Sequence, residues 1–150
     1  MRNCFDWKSP LIALALGAAL SACAAAVDGP KVSDGLVGRW RQVSITTGDR
    51  STQCPGSISL SDSLTTSCGD NDVIEFHPDG TFTATFSGRP VKGAGTWRLS
   101  GNSLALSFTA PPGVAGTSHS ATVTFDDGAK TLRIVSSLVG AATTETYTRL

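Results

Sequence analysis

From Leu36 to the carboxyl end the chain alternates apolar and polar residues in short runs separated by turn residues, and no window carries a sustained helical period. The runs predict eight strands, at Arg39 to Thr46, Val73 to His77, Thr81 to Ser87, Ala94 to Leu99, Ser103 to Thr109, His119 to Phe125, Thr131 to Ser136 and Thr143 to Arg149. Threonine, valine, serine and aromatic residues dominate them, a composition suited to pleated, half-buried surfaces. Ile74 and Phe76 share a face, as do Phe82, Ala84 and Phe86, Trp97 with Leu99, Leu104 with Leu106 and Phe108, Val123 with Phe125, and Leu132 with Ile134. A period of two points all of them into one interior. Pro78-Asp79-Gly80, Ser100-Gly101-Asn102 and Asp126-Asp127-Gly128 carry tight-hairpin chemistry, so the strands they join are antiparallel neighbours. Eight such strands with nothing else to cover them close most economically into an up-and-down barrel, which removes exposed edges. A two-sheet sandwich would show the same alternation.

Ahead of the strands the pattern changes. Arg2 and Lys8 precede the apolar run Leu11 to Leu20, which is followed by small residues, the order of a secretory signal over residues 1–22. About ten apolar residues are too few to span a bilayer, which takes roughly 20. Leu20-Ser21-Ala22-Cys23 resembles the bacterial lipobox, whose cysteine receives diacylglycerol before cleavage in front of it. That resemblance implies a lipid anchor on Cys23, each buried CH₂ contributing about 0.8 kcal/mol to membrane attachment. Ordinary cleavage among Ala22 to Ala26 is the competing reading. Residues 24–34, small and polar with Gly29-Pro30, read with Cys23 as the anchor and flexible tether of a single domain over residues 35–150. The chain is thus expected in the cell envelope, bound to membrane through lipid. If the source has two membranes the outer one is favoured, facing periplasm or surface, since Ala24 is not the Asp of an inner-membrane retention signal.

Charge and cysteines narrow the picture further. Losing Arg2, Lys8 and Asp6 from a chain of twelve basic and twelve acidic residues leaves ten against eleven, a formal charge of −1. Neutrality of this kind argues against a nucleic-acid partner, which calls for a basic patch. Cys4 falls in the signal and Cys23 at the anchor, so Cys54 and Cys68 are the pair left in the mature domain. An even pair in an exported protein predicts a disulfide, and closing a loop of about 15 residues constrains the unfolded chain by about 3 kcal/mol. A metal site is the weaker alternative, because the mature chain offers only His77 and His119 as further soft ligands.

Leu36-Val37-Gly38-Arg39-Trp40 resembles the Gly-x-Trp opening of lipocalins and bacterial lipocalin-like domains. The runs Ile74 to Phe82 and Gly95 to Leu104 are similar to the hairpins of those bacterial domains, and Tyr147-Thr148-Arg149 to their ending. The resemblance implies an eight-stranded, lipocalin-like barrel. It also implies that Trp40 closes one end beneath Arg149, a cation over an indole face; a core Trp with a solvated terminal Arg is the alternative. The chain departs from secreted lipocalins at residues 47–72, where a long segment with the cysteine pair replaces the usual loop at the ligand mouth.

No catalytic constellation emerges. Gly-x-Ser-x-Gly, Ser-x-x-Lys, Cys-x-x-Cys and phosphate-binding glycine patterns are all missing from the sequence, so an enzyme is not expected and no cofactor or metal is implied. Asp70-Asn71-Asp72 lacks the glycine and distal glutamate of a calcium loop and reads as a solvated turn. His77 reads as a hairpin surface residue. Two functions remain. The first is a small apolar or amphipathic ligand held in a cavity bordered by Phe82, Trp97, Leu106, His119 and Phe125. Trp40 parity also brings Gln42 and Ser44 inward unless a bulge intervenes, and Tyr147 parity brings Glu145, which together supply a few polar groups among apolar walls. The second is a filled barrel that presents its loops to an envelope protein or acts as an inhibitor.

Overall fold

A computed structural model describes residues 35–61, 64–86, 92–138 and 141–150. It contains β1 (Gly38–Thr47), β2 (Arg50–Gln53), β3 (Gly56–Ser61), β4 (Leu64–Cys68), β5 (Val73–Phe76), β6 (Thr81–Thr85), β7 (Lys92–Ser100), β8 (Ser103–Ala110), β9 (Ser118–Asp126), β10 (Thr131–Leu138) and β11 (Ala141–Arg149). Strands β5 to β11 follow one another as antiparallel neighbours, β5 pairs with β1, and β11 returns to β1. The result is a closed eight-stranded barrel. Closure brings Trp40 opposite Arg149 and Gln42 opposite Tyr147. The signal segment, Cys23 and the tether lie outside the described residues.

The three tight hairpins predicted from sequence all sit at one end, together with the start of β1 and the finish of β11. Gly80 shows why the first needs its glycine: its φ of 82° lies in the left-handed region. Asp79 stabilises the same turn, its Oδ1 accepting from Thr81 N at 2.9 Å and Thr81 Oγ1 at 2.6 Å. These bonds, the side-chain one first, hold the Asp79 carboxyl below its usual pKa.

The core fills this closed end. Trp40, Leu104, Val123 and Leu132 are fully buried, and Leu36 packs beneath them. Trp40 Nε1 donates to Leu36 O at 2.8 Å and Trp97 Nε1 to His77 O at 3.1 Å, so both indoles bury their rings with the N–H satisfied. Rings meet edge to face as well: Phe76 with Trp97 at this end, then Phe82 with Phe108 and Phe108 with His119 above it. Gly95 makes this packing possible, since a Cβ there would run into the Ser107 carbonyl and the Phe82 ring.

Two features depart from the sequence reading. Register slips between Gln42 and Ser44, so that Gln42 faces inward, Ser44 does not continue its face, and Ile45 turns inward. The segment at residues 47–72, expected as a loop, contains three short strands. β2 pairs with the far half of β1, and β3 pairs with β4 as a separate hairpin. Ile58 and Cys68 of that hairpin bury against Ile45, a second small core that the alternation of the barrel strands does not reveal. The predicted disulfide is present, joining Cys54 to Cys68 with Cα atoms 5.3 Å apart.

Candidate functional site

At the end away from the tight hairpins the barrel opens into a cavity of about 600 Å³, between its upper inner face and β4 with the adjoining end of β3. Small side chains leave the room. Ala84 faces Gly93 across β6 and β7, and Phe86, two residues on from Ala84, stands at the rim. Phe108, Pro111 and Val114 continue the apolar wall, and Leu60 and Leu64 face it from the hairpin. Phe86 is 40 % exposed and Val114 37 %. Two of the three exposed large apolar side chains among the described residues therefore border one cavity.

Its floor is polar. Gln42, Asp72 and Glu145 line it, and exposed His119 stands at its edge. The Gln42 backbone N–H donates to Asp72 O at 2.8 Å, and Asp72 Oδ2 accepts from Gly69 N at 2.9 Å. Tyr147 donates its hydroxyl to Glu145 Oε2 at 2.9 Å. Burial pushes the Glu145 carboxyl above its usual pKa; the Tyr147 hydrogen bond opposes that, and the Asp72 charge adds to it. Burial, then the neighbouring Glu145 charge, drive the Tyr147 phenol well above its usual value. Gln42 Nε2 is buried with no hydrogen-bond partner, the one such side-chain atom among the described residues.

Of the five residues expected to border a ligand cavity, His119 does so, edge-on to Phe108 with ring centroids 5.4 Å apart. Phe82, Trp97, Leu106 and Phe125 face inward but do not line it. They pack into the barrel core instead, because period-two alternation assigns a face and not a height along the axis. Phe125 lies 6.0 Å from Trp40, at the very bottom. There the Arg149 guanidinium sits 4.6 Å above the Trp40 indole and also donates to Gly35 O and Val37 O.

Asp72 is a correction of another kind. Read as part of a solvated turn, it is 4 % exposed. Its signal was in the sequence, since Asp72 shares parity with Ile74 and Phe76. The apolar rim at Pro111 and Val114, and the hairpin residues Leu60 and Leu64, were not foreseen, being loop or short-strand positions without periodicity. His77 is half exposed at the closed end, its Nδ1 3.9 Å from Glu75 Oε1. Among the described residues no three His, Cys, Asp or Glu side chains converge on a metal-sized site.

A family profile described as "Lipocalin-like domain" matches residues 36–137. No curated protein matches the chain in sequence. Among solved structures, a lipocalin-like protein from Bacteroides uniformis is similar at a TM-score of 0.52 and 15 % identity, covering 77 % of this chain and 99 % of its own. A redesigned β barrel aligns at 0.47 and 18 % identity, over 79 % and 94 % of the two chains. An uncharacterized protein from Bacteroides eggerthii aligns at 0.46 and 13 %, over 77 % and 99 %.

Proposed function

Because the chain belongs to the lipocalin-like domain family, we propose that it is an exported, lipid-anchored binding protein whose open barrel end holds a small amphipathic ligand. The observation that carries this reading is the cavity itself, with apolar side chains kept at the water's edge around a polar floor. A volume of about 600 Å³ is within the usual range for small-molecule sites. Covering Phe86 and Val114 would remove apolar surface from water at about 25 cal/mol per Å², so an apolar guest gains where the empty protein does not. An open cavity favours this over the filled, loop-presenting barrel.

An apolar naphthylamine dye tests the reading. It should bind one per chain with enhanced emission, and Phe86→Arg with Val114→Arg should abolish the enhancement. Binding without saturation, or unchanged in the double variant, would place the dye elsewhere and overturn the assignment. The anchor is supported by Leu20-Ser21-Ala22-Cys23 at the end of the signal run. Protein recovered from its envelope as a freely soluble form beginning at Ala24 or later would refute it.

A further inference from the structure

The cavity is graded from apolar at its mouth to polar at its floor. Phe86 and Val114 stand exposed at the mouth, and Leu60 and Leu64 face it from the β3–β4 hairpin. Glu145 lies deeper, at the inward position next above Tyr147, which is part of the packed core. It shares its face of β11 with buried Thr143 and Tyr147 while remaining half-buried itself, so its carboxyl opens inward, onto the cavity. Oε2 accepts from the Tyr147 hydroxyl at 2.9 Å. Oε1 has no hydrogen-bond partner among the described residues and, unlike Gln42 Nε2, is not sealed from water.

We propose that the ligand is a single-chain amphiphile with a small head group, bound polar end first, its head hydrogen-bonded to Glu145 Oε1 and its chain running out between Phe86 and the hairpin residues Leu60 and Leu64. The proposal rests on the cavity being a ligand site and adds the direction in which the ligand lies. Chain-first entry would lay methylene groups over the open Glu145 oxygen, which loses its water and gains no partner. It would also hold the head at the edge beside His119, with Phe86 and Val114 left uncovered. Head-first entry gives that oxygen a partner and lays the chain against the exposed apolar side chains. Burial favours the protonated Glu145 carboxyl, which donates as well as accepts. The head is small because about 600 Å³ must hold the chain as well.

Two probes that differ only in which end is free test the direction. One is the decyl ether of a long polyethylene glycol, in which the polymer replaces the hydroxyl proton of decan-1-ol. The other is the ω-hydroxydecyl ether of the same polymer, in which the hydroxyl is free and the far end of the chain carries the polymer. The polymer is too large for the cavity and stays in water. In displacement of the naphthylamine dye from the purified protein, below the micellar concentration of each probe, the ω-hydroxydecyl ether should compete at least about tenfold better. Decan-1-ol should bind about tenfold more weakly to Glu145→Leu, the loss of one hydrogen bond to a buried group. In Glu145→Gln it should stay within about threefold, each constant being corrected for the dye's own affinity in that variant. The decyl ether competing as well as the ω-hydroxydecyl ether overturns the direction, and this comparison stands whether or not Glu145→Leu folds. Decan-1-ol bound equally by Glu145→Leu overturns the contact, and either result leaves the cavity reading intact. No binding of dye or decan-1-ol to the unaltered protein overturns the cavity reading as well.

Discussion

At residue scale, the polar groups inside the barrel act against stability. Glu145 has its pKa raised by burial, so the folded protein holds that proton more tightly than the unfolded chain does. The contribution of this group is therefore fully present below the unfolded value, about 4.3, and is lost as pH rises through the higher folded value. Glu145→Gln removes the loss and still offers Tyr147 an acceptor oxygen. Its urea midpoint should exceed that of the unaltered protein at neutral pH, with the difference closing at about pH 4; equal midpoints at neutral pH would contradict the burial of this carboxyl. Gln42→Leu, by removing an unpaired buried donor, should likewise raise stability, by about 1 kcal/mol. Trp40 is the opposite case, fully buried, bonded to Leu36 O and covered by Arg149. Trp40→Ala should cost about 3–5 kcal/mol in denaturant titrations.

At the scale of elements, the β3–β4 hairpin is held to the barrel by little. It packs Ile58 and Cys68 on Ile45 and is tied by the Cys54–Cys68 bond. Replacing both cysteines by serine should cost up to about 3 kcal/mol on the chain-entropy account. In hydrogen exchange β2 to β4 should lose protection first, with the barrel strands little changed, because their ladders do not pass through the hairpin. Since β4 and the end of β3 also wall the cavity, dye affinity should fall in the same variant. Loss of protection spread evenly over all strands would show that the hairpin and barrel unfold as one unit. Gly95→Ala tests the β7–β8 pairing in the same way. Its methyl group would press on the Ser107 carbonyl and the Phe82 ring, for an expected loss of about 1–3 kcal/mol.

Across the whole molecule, the two ends of the barrel are built differently, one packed and one open. Residue 35 enters at the closed end, beside Phe125 and Arg149, and the cavity lies at the other. The segment from Cys23 therefore joins the barrel at residue 35, at the end remote from the cavity. Cys23→Ser should move the protein out of the membrane fraction and leave dye binding unchanged. A variant that stayed with membranes would argue against the anchor, and one that lost dye binding would show that the lipid or the membrane takes part in the site.

What the sequence determined by itself is local and steric. Alternation with period two placed all eight barrel strands and their inward faces, and glycine with aspartate or asparagine placed the closed-end turns. An even pair of cysteines in a chain expected to be exported pointed to the disulfide that the fold contains. Parity alone puts Gln42 and Glu145 on the inward face. Only the tertiary structure decided where the empty space lies. Phe82, Trp97 and Phe125 share a face with the cavity-lining residues but pack where rings from different strands meet and fill the barrel. The bulge after Gln42 turns Ile45 inward, Ile45 receives the β3–β4 hairpin, and the hairpin supplies the missing wall. Each of those steps depends on residues far apart in the chain, and periodicity carries no information about distant partners or about height along a barrel axis.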